Sequence, residues 1–182
     1  MTSFPIHTLD SAPERSKPAL QQLQSAFGMI PNIAGAMATS PVLINSLVGL
    51  FQNVHSGFFT EAQVQTVLLT DAVANASTWA VAFHTALALK EGIDPADVMA
   101  IREHHLPKDS KLAALSALAK TMIEKRGRLD DQDVDRFIAA GFDKDHALGV
   151  IAIVAASTIT NYTGSITKPP LEAAFRAHAW AA

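Results

Sequence analysis

"ANASTWAVAFHT", residues 74–85, sets Ser77, Ala80 and His84 at i, i+3 and i+7, one stripe along a single helix. The helix runs on as "STWAVAFHTALALKEG" to Gly92. Before it, "TEAQVQTVLLTDAVANA" places Thr60 three residues ahead of Gln63, the spacing of a capping box. Two such helices joined by a short turn form an antiparallel hairpin. The face of the first that carries Glu61 and Gln65, an i, i+4 pair, can then meet the His84 stripe.

The same punctuation recurs along the chain. "SKPALQQLQSAFG" has Leu20, Leu23 and Phe27 in helical register and stops at Gly28. "IPNIAGAMATS" is a short helix or turn. "SPVLINSLVGLFQNVHSG" opens with Ser40 as N-cap and Pro41 at N1, and is expected to end at Gly57. Asp94 and Pro95 repeat that pair. "SKLAALSALAKTMIEKRG", "LDDQDVDRFIAAGF" and a long helix from about Asp143 follow, and "PPLEAAFRAHAW" closes the chain. No alternating, β-branched run bounded by turns stands against this pattern. The expectation is an all-α fold of roughly eight to ten helices. It forms one domain over 1–182, with 1–57 as a helical lead-in and 58–125 as the region of the central motifs.

Composition narrows the function classes. Only 17% of residues are charged against 49% hydrophobic, which is consistent with burial of part of the surface by another subunit. A net charge of −3 with scattered Lys and Arg lacks the footprint of a nucleic-acid binder. No basic-then-apolar leader opens the chain, so the cytoplasm is the default location. The longest apolar run, "HALGVIAIVAASTITNY" from His146, is broken by Gly149, Ser157 and threonines. It reads as a buried core helix rather than a membrane span. With no cysteine at all, disulfides, zinc–thiolate sites and thiol redox chemistry are excluded.

His84 is the principal candidate for acid–base chemistry, because imidazole titrates near neutral pH; a hydrogen-bonded core histidine is the plainer reading. Ser77 and His84 cannot form a nucleophile–base dyad. Seven residues of helix rise about 10 Å, and the two groups would need to approach within about 3 Å. Ser77 fits a helix cap, with Asn75 just before it. Glu61 is the nearest carboxylate to polarise an imidazole, or it simply sits where a helix N-terminus favours an anion. His104 and His105, adjacent on a helix, point about 100° apart and do not chelate one metal. Asn161 and Tyr162, polar within an apolar helix, either line a pocket or staple two helices.

Three ordered segments carry a family resemblance: "FGMIPNIAGAMATSPVLINSLVGL" from Phe27, "TEAQVQTVLLTDAVANASTWAVAFHTALALKEG" from Thr60 and "ITNYTGSITKPPLEAAF" from Ile159. Together they resemble the carboxymuconolactone decarboxylase and alkyl hydroperoxidase D superfamily, in its longer peroxidase-related branch. The resemblance implies an all-α helical bundle assembled as a homodimer, trimer or hexamer. In redox members the motif is Glu, eleven residues, Cys-x-x-Cys, three residues, His. Its positions fall here on Gln65, Ser77, Ala80 and His84. Only the histidine remains, and neither an alcohol nor a methyl group replaces the thiolate that attacks a peroxide or the thiol that resolves it.

The decarboxylase side of the superfamily keeps a helix-borne histidine without the cysteines and works without metal or organic cofactor. The resemblance therefore implies cofactor-free acid–base chemistry on a small organic substrate, with His84 as acid or base and Gln65, Ser77, Ala80, Glu61 and Asn161 as pocket candidates. No metal, nucleic-acid or membrane partner is expected. A non-catalytic scaffold or ligand-binding protein is the alternative, and an antioxidant hydroperoxidase the third reading.

Overall fold

N-capping side chains and prolines start most of the helices in the computed structural model, which describes residues 3–181. Nine α-helices and two 3-10 turns are found among the described residues, with no strand. They are α1 (Lys17–Phe27), α2 (Asn32–Met37), α3 (Pro41–Val54), α4 (Glu61–Ala74), α5 (Thr78–Lys90), α6 (Pro95–Arg102), α7 (Ser110–Glu124), α8 (Asp131–Ala139) and α9 (Lys144–Thr167). The 3-10 turns span Glu14–Ser16 and Ala173–His178. Ser40, Asp94 and Asp143 cap α3, α6 and α9 through their side chains, and Thr60 with Gln63 closes a full capping box on α4. Gly28 ends α1 in the left-handed region at φ 73°, where a Cβ would be strained. α3 stops at Val54, short of Gly57, so residues 55–60 form a connection into α4 that is exposed except for the buried Phe59.

α4 is the axis of the molecule. Ten of its 14 residues are buried, so it shows no single apolar stripe and packs on every side. Leu69, Ala72 and Val73 join one core with Leu20, Ile44, Val81 and Val98. Val64, Val67 and Leu68 join a second with Leu115, Phe137, Val150 and Ile153. α5 lies against α4 as the hairpin reading expects.

The carboxy-terminal segment locks α5 from outside. Glu172 accepts hydrogen bonds from the Asn32 backbone N–H and from Trp79 Nε1 at 2.9 Å. One carboxylate thereby ties the start of α2 to α5. Bonds to a charged acceptor are worth about 1.5–3 kcal/mol each before solvent screening. Glu172→Ala is accordingly expected to cost about 2 kcal/mol in urea unfolding and to alter Trp79 fluorescence. Unchanged stability would show that this tie is idle.

α9 departs from the buried helix expected of it. Leu148, Ile151, Tyr162 and Ile166 are 65%, 49%, 61% and 66% exposed, while Val150, Ile153, Ala156 and Asn161 are buried. By length and composition it is the one helix, among the described residues, apolar enough to cross a membrane. One side of it nevertheless forms part of the second core.

Candidate functional site

The α4–α5 hairpin sets Gln65 opposite His84, and Gln65 Oε1 lies 3.0 Å from His84 Nδ1. Both side chains are buried, at 4% and 3% exposure. Gln65 Oε1 is an acceptor, so Nδ1 carries the proton and Nε2 keeps its lone pair. Burial, and then the charge of nearby His55, push the His84 pKa down to about 3. His84 is therefore a neutral imidazole at physiological pH.

His84 lines a cavity of about 420 Å³ between α1, α2, α3 and the hairpin. Phe27, Met37, Phe51, Trp79 and Phe83 supply much of its apolar wall. Phe83 stands edge-on to His84 at 5.3 Å and stacks on Trp79 at 4.8 Å, which fixes the imidazole plane. On the same cavity, His55 Nδ1 lies 2.7 Å from Glu61 Oε2. These two are part-exposed, with 33% and 44% of their side chains open to solvent. His55 stands just past the end of α3 and Glu61 in the first turn of α4, so the residues 55–60 connection brings them together.

Several expectations change here. Glu61 does pair with an imidazole, but that of His55, because the exposed first turn of α4 faces the end of α3 and not the buried middle of α5. Gln65, one turn further along, takes His84. Ser77 occupies the N-cap position of α5 without making a capping hydrogen bond. The turn is held instead by Asn75 Nδ2 donating to Asp71 O at 2.8 Å, with Ala76 at φ 51°. Ser77 and Ala80 stand outside the cavity, Ala80 fully buried beneath it. The motif stripe thus splits: Ser77 stands beside Gly164 of α9, Ala80 is fully buried, and of the three only His84 lines the cavity.

Asn161 also stands outside the cavity. It staples α9 to α4, donating from Nδ2 to Asp71 O at 3.4 Å and to Ser157 Oγ at 3.1 Å. Its neighbour Thr160 reaches the cavity in its place, and Tyr162 faces outward. Both Asp71 carboxyl oxygens and Asn161 Oδ1 are buried without hydrogen-bond partners. Burial holds the Asp71 carboxyl well above its ordinary range, against a smaller opposing effect of Ser157. A raised folded-state pKa means that the folded state binds more protons, so stability falls as pH rises from about 3.8 toward the folded value. Asp71→Asn removes that penalty. It is expected to raise Tm by several degrees at pH 7 and to leave it unchanged near pH 3. A lower Tm at pH 7 would refute this.

His104 and His105 line a separate cleft of about 220 Å³ with Ser116 and Lys120. Among the described residues, no three His, Cys, Asp or Glu gather as a metal site.

No protein-family model matches the chain, and no curated protein matches it significantly. Solved structures do. A peroxidase-related protein from Ralstonia eutropha JMP134 with the alkylhydroperoxidase AhpD core superposes with a TM-score of 0.82 at 16% identity, over 94% of this chain and 93% of that one. The debrominase Bmp8, as a cysteine-to-alanine variant in complex with 2,3,4-tribromopyrrole, gives 0.80 at 19% identity over 98% and 95%. A peroxidase-related protein from Silicibacter sp. TM1040 gives 0.79 at 16% identity over 96% and 92%. The chain has the all-α AhpD-core fold, without a cysteine at any position.

Proposed function

We propose that the protein catalyses cofactor-free proton transfer on a small, largely apolar organic molecule held in the His84 cavity. The supporting observation is the Gln65–His84 hydrogen bond, which occupies Nδ1 of a ring that lines a largely apolar cavity and leaves Nε2 as its free nitrogen. The buried neutral imidazole meets the substrate proton without first shedding a hydration shell, and its lowered basicity confines it to strongly activated carbon acids. In this reading Nε2 takes a proton from an acidic C–H, and the electron pair stays on the substrate as a carbanion or enolate. His55, paired with Glu61, returns a proton to the product. If the activated group is instead a β-keto acid, the C–C bond to the carboxylate breaks, carbon dioxide leaves and His55 protonates the carbanion. Of the acid and base roles expected for His84, this reading keeps the base there and gives the acid to His55.

A thiol peroxidase reading has no cysteine thiol to carry it. Ligand binding without turnover is favoured by the apolar walls, and the same experiment separates the two. The tribromopyrrole bound by Bmp8 is a compact ring of a size that suits a chamber of about 420 Å³, so it is the first binding probe. Small cyclic ketones, lactones and β-keto acids are then incubated with the protein in D2O and followed by proton NMR. Deuterium incorporation or carbon dioxide loss that disappears in His84→Gln supports the proposal. Tight probe binding with no exchange on any carbon acid makes the cavity a binding site only.

A further inference from the structure

The His84 cavity holds a buried amide whose donors are unused. Gln65, in the first half of α4, gives its carbonyl oxygen to His84 Nδ1 at 3.0 Å. Its Nε2 has no hydrogen-bond partner among the described residues, although the residue is only 4% exposed. Nor is that nitrogen sealed in the packing. The buried side-chain atoms closed off without a partner are Asp71 Oδ1 and Oδ2, Arg102 Nε and Asn161 Oδ1. Gln65 Nε2 is not one of them, so it reaches open space, and the space that Gln65 lines is the cavity. An amide nitrogen with both protons free thus stands beside the imidazole.

The other buried donors of the wall are occupied. Trp79 Nε1 donates to Glu172 at 2.9 Å, and Thr160 Oγ1 donates to Ala156 O at 3.4 Å. Gln22, Gln52 and Lys90 also line the cavity but are exposed, where water weakens the hydrogen bonds they offer. A free donor within apolar walls is unfavourable until an acceptor reaches it. In an empty chamber that acceptor arrives with the ligand.

Building on the proton transfer proposed for His84, we infer that Gln65 Nε2 is the oxyanion donor of the site and that the molecule it takes is a neutral 1,3-dicarbonyl compound. Nε2 of His84 removes a proton from the carbon between the two carbonyl groups. The C–H electron pair becomes the C=C bond of an enolate, and the carbonyl π pair moves onto oxygen. Positive charge appears on the imidazole and negative charge on that oxygen. Gln65 meets both: Oε1 accepts from Nδ1–H of the imidazolium, and Nε2–H donates to the oxyanion. A dipole already fixed in place needs no reorientation as the charge develops. Protonation at carbon by His55 restores the C–H bond. His84 then releases its proton to solvent and His55 regains one, so the cycle is redox-neutral. The 1,3 arrangement follows from the weakness of His84 as a base, which requires an acidic C–H. A neutral ligand is indicated because exposed Lys90 is the one Lys or Arg among the lining residues.

A glutamate at position 65 would separate orientation from oxyanion stabilisation. It would hold Nδ1–H at least as firmly and make the imidazole a stronger base, but it would set a negative charge against the enolate oxygen. Exchange of ethyl acetoacetate in D2O above the buffer rate, followed by proton NMR, gives kcat and KM, and ¹⁵N NMR reports the His84 ring. In Gln65→Glu the imidazolium should persist to higher pH than in the wild type, while kcat falls by about 10²–10³, the usual effect of losing one oxyanion donor. A kcat equal to or above that of the wild type would reduce Gln65 to a positioning residue and overturn the inference. Gln65→Asn, uncharged and one methylene shorter, should lose kcat as well, and it keeps the test open if the glutamate variant does not fold.

Binding supplies a readout that needs no turnover. 4-Nitrophenolate carries an oxyanion on a flat ring, and 4-nitrotoluene has a methyl group in its place. Gln65→Asn should weaken the phenolate by about tenfold or more and leave the toluene within about twofold, as loss of a charge-assisted hydrogen bond requires. Equal weakening of both, or of neither, would overturn the inference. Exchange that depends on His84 yet survives Gln65→Glu would remove this role and leave the proposed reaction standing. Selective phenolate binding without exchange on any carbon acid would do the reverse.

Discussion

Lowering the pH from 7 to 4 is expected to destabilise the fold by about 3 kcal/mol through His84 alone. The folded-state pKa of about 3 lies well below the ordinary 6.5. The folded protein thus binds fewer protons than the unfolded chain at every pH between those values. The stability that His84 permits is fully present above pH 6.5 and is lost as pH falls toward 3, at roughly 1.4 kcal/mol per unit. Urea unfolding at half-unit intervals measures this slope. In His84→Gln, which cannot titrate, the slope over that window should flatten by close to one proton. An unchanged slope would mean that His84 charges freely in the folded state and that its burial is transient. Carboxylates such as Asp133, held below the usual range by Lys125, act mainly below about pH 4, whereas the raised Asp71 carboxyl opposes the His84 slope within the window and cancels in the comparison with His84→Gln.

The second large effect concerns chemistry. On a substrate found by the exchange screen, His84→Gln is expected to lower kcat/KM by 10²–10⁴, about 3–5 kcal/mol of barrier, the usual worth of a positioned general base. KM should change little, because the apolar walls that hold the ring are untouched. Glu61→Gln should cost less, about tenfold, since His55 remains and loses only its orienting carboxylate. The pH profile carries a further sign. A base with a pKa of about 3 is already unprotonated at pH 5 and gives no acid limb above it, so the fall in activity with rising pH that a required proton donor produces must disappear in His55→Gln and persist in any residual activity of His84→Gln. The reverse pattern would exchange the roles of the two histidines.

Much of the fold was legible in the sequence because short helices announce their ends. Ser40–Pro41, Thr60–Gln63 and Asp94–Pro95 act within three residues, and such local chemistry survives in any packing. The Gln65–His84 contact was legible for a related reason. A two-helix hairpin with a short turn leaves few ways for i, i+4 faces to meet. His55 was not, because it stands just past the end of α3, outside any periodic stripe. Its six-residue separation from Glu61 across the α3–α4 connection was the only available signal. Ser77 misled by residue type: a serine at an N-cap position normally caps, but Asn75 and the left-handed Ala76 already close this turn. α9 misled through hydropathy, which averages over the helix without saying which of its faces the chain covers: Val150 and Ile153 are buried, Leu148 and Ile151 exposed.

The measurement that tests the central claim most directly is a ¹⁵N-imidazole NMR titration of the protein, with His84 assigned by comparison with His84→Gln. The account predicts a neutral ring protonated at Nδ1 from pH 8 down to about pH 5, with Nε2 bare and shifting when 2,3,4-tribromopyrrole fills the cavity. An imidazolium at pH 6–7, or a proton resident on Nε2, would contradict the assignment of His84 as the base of this site.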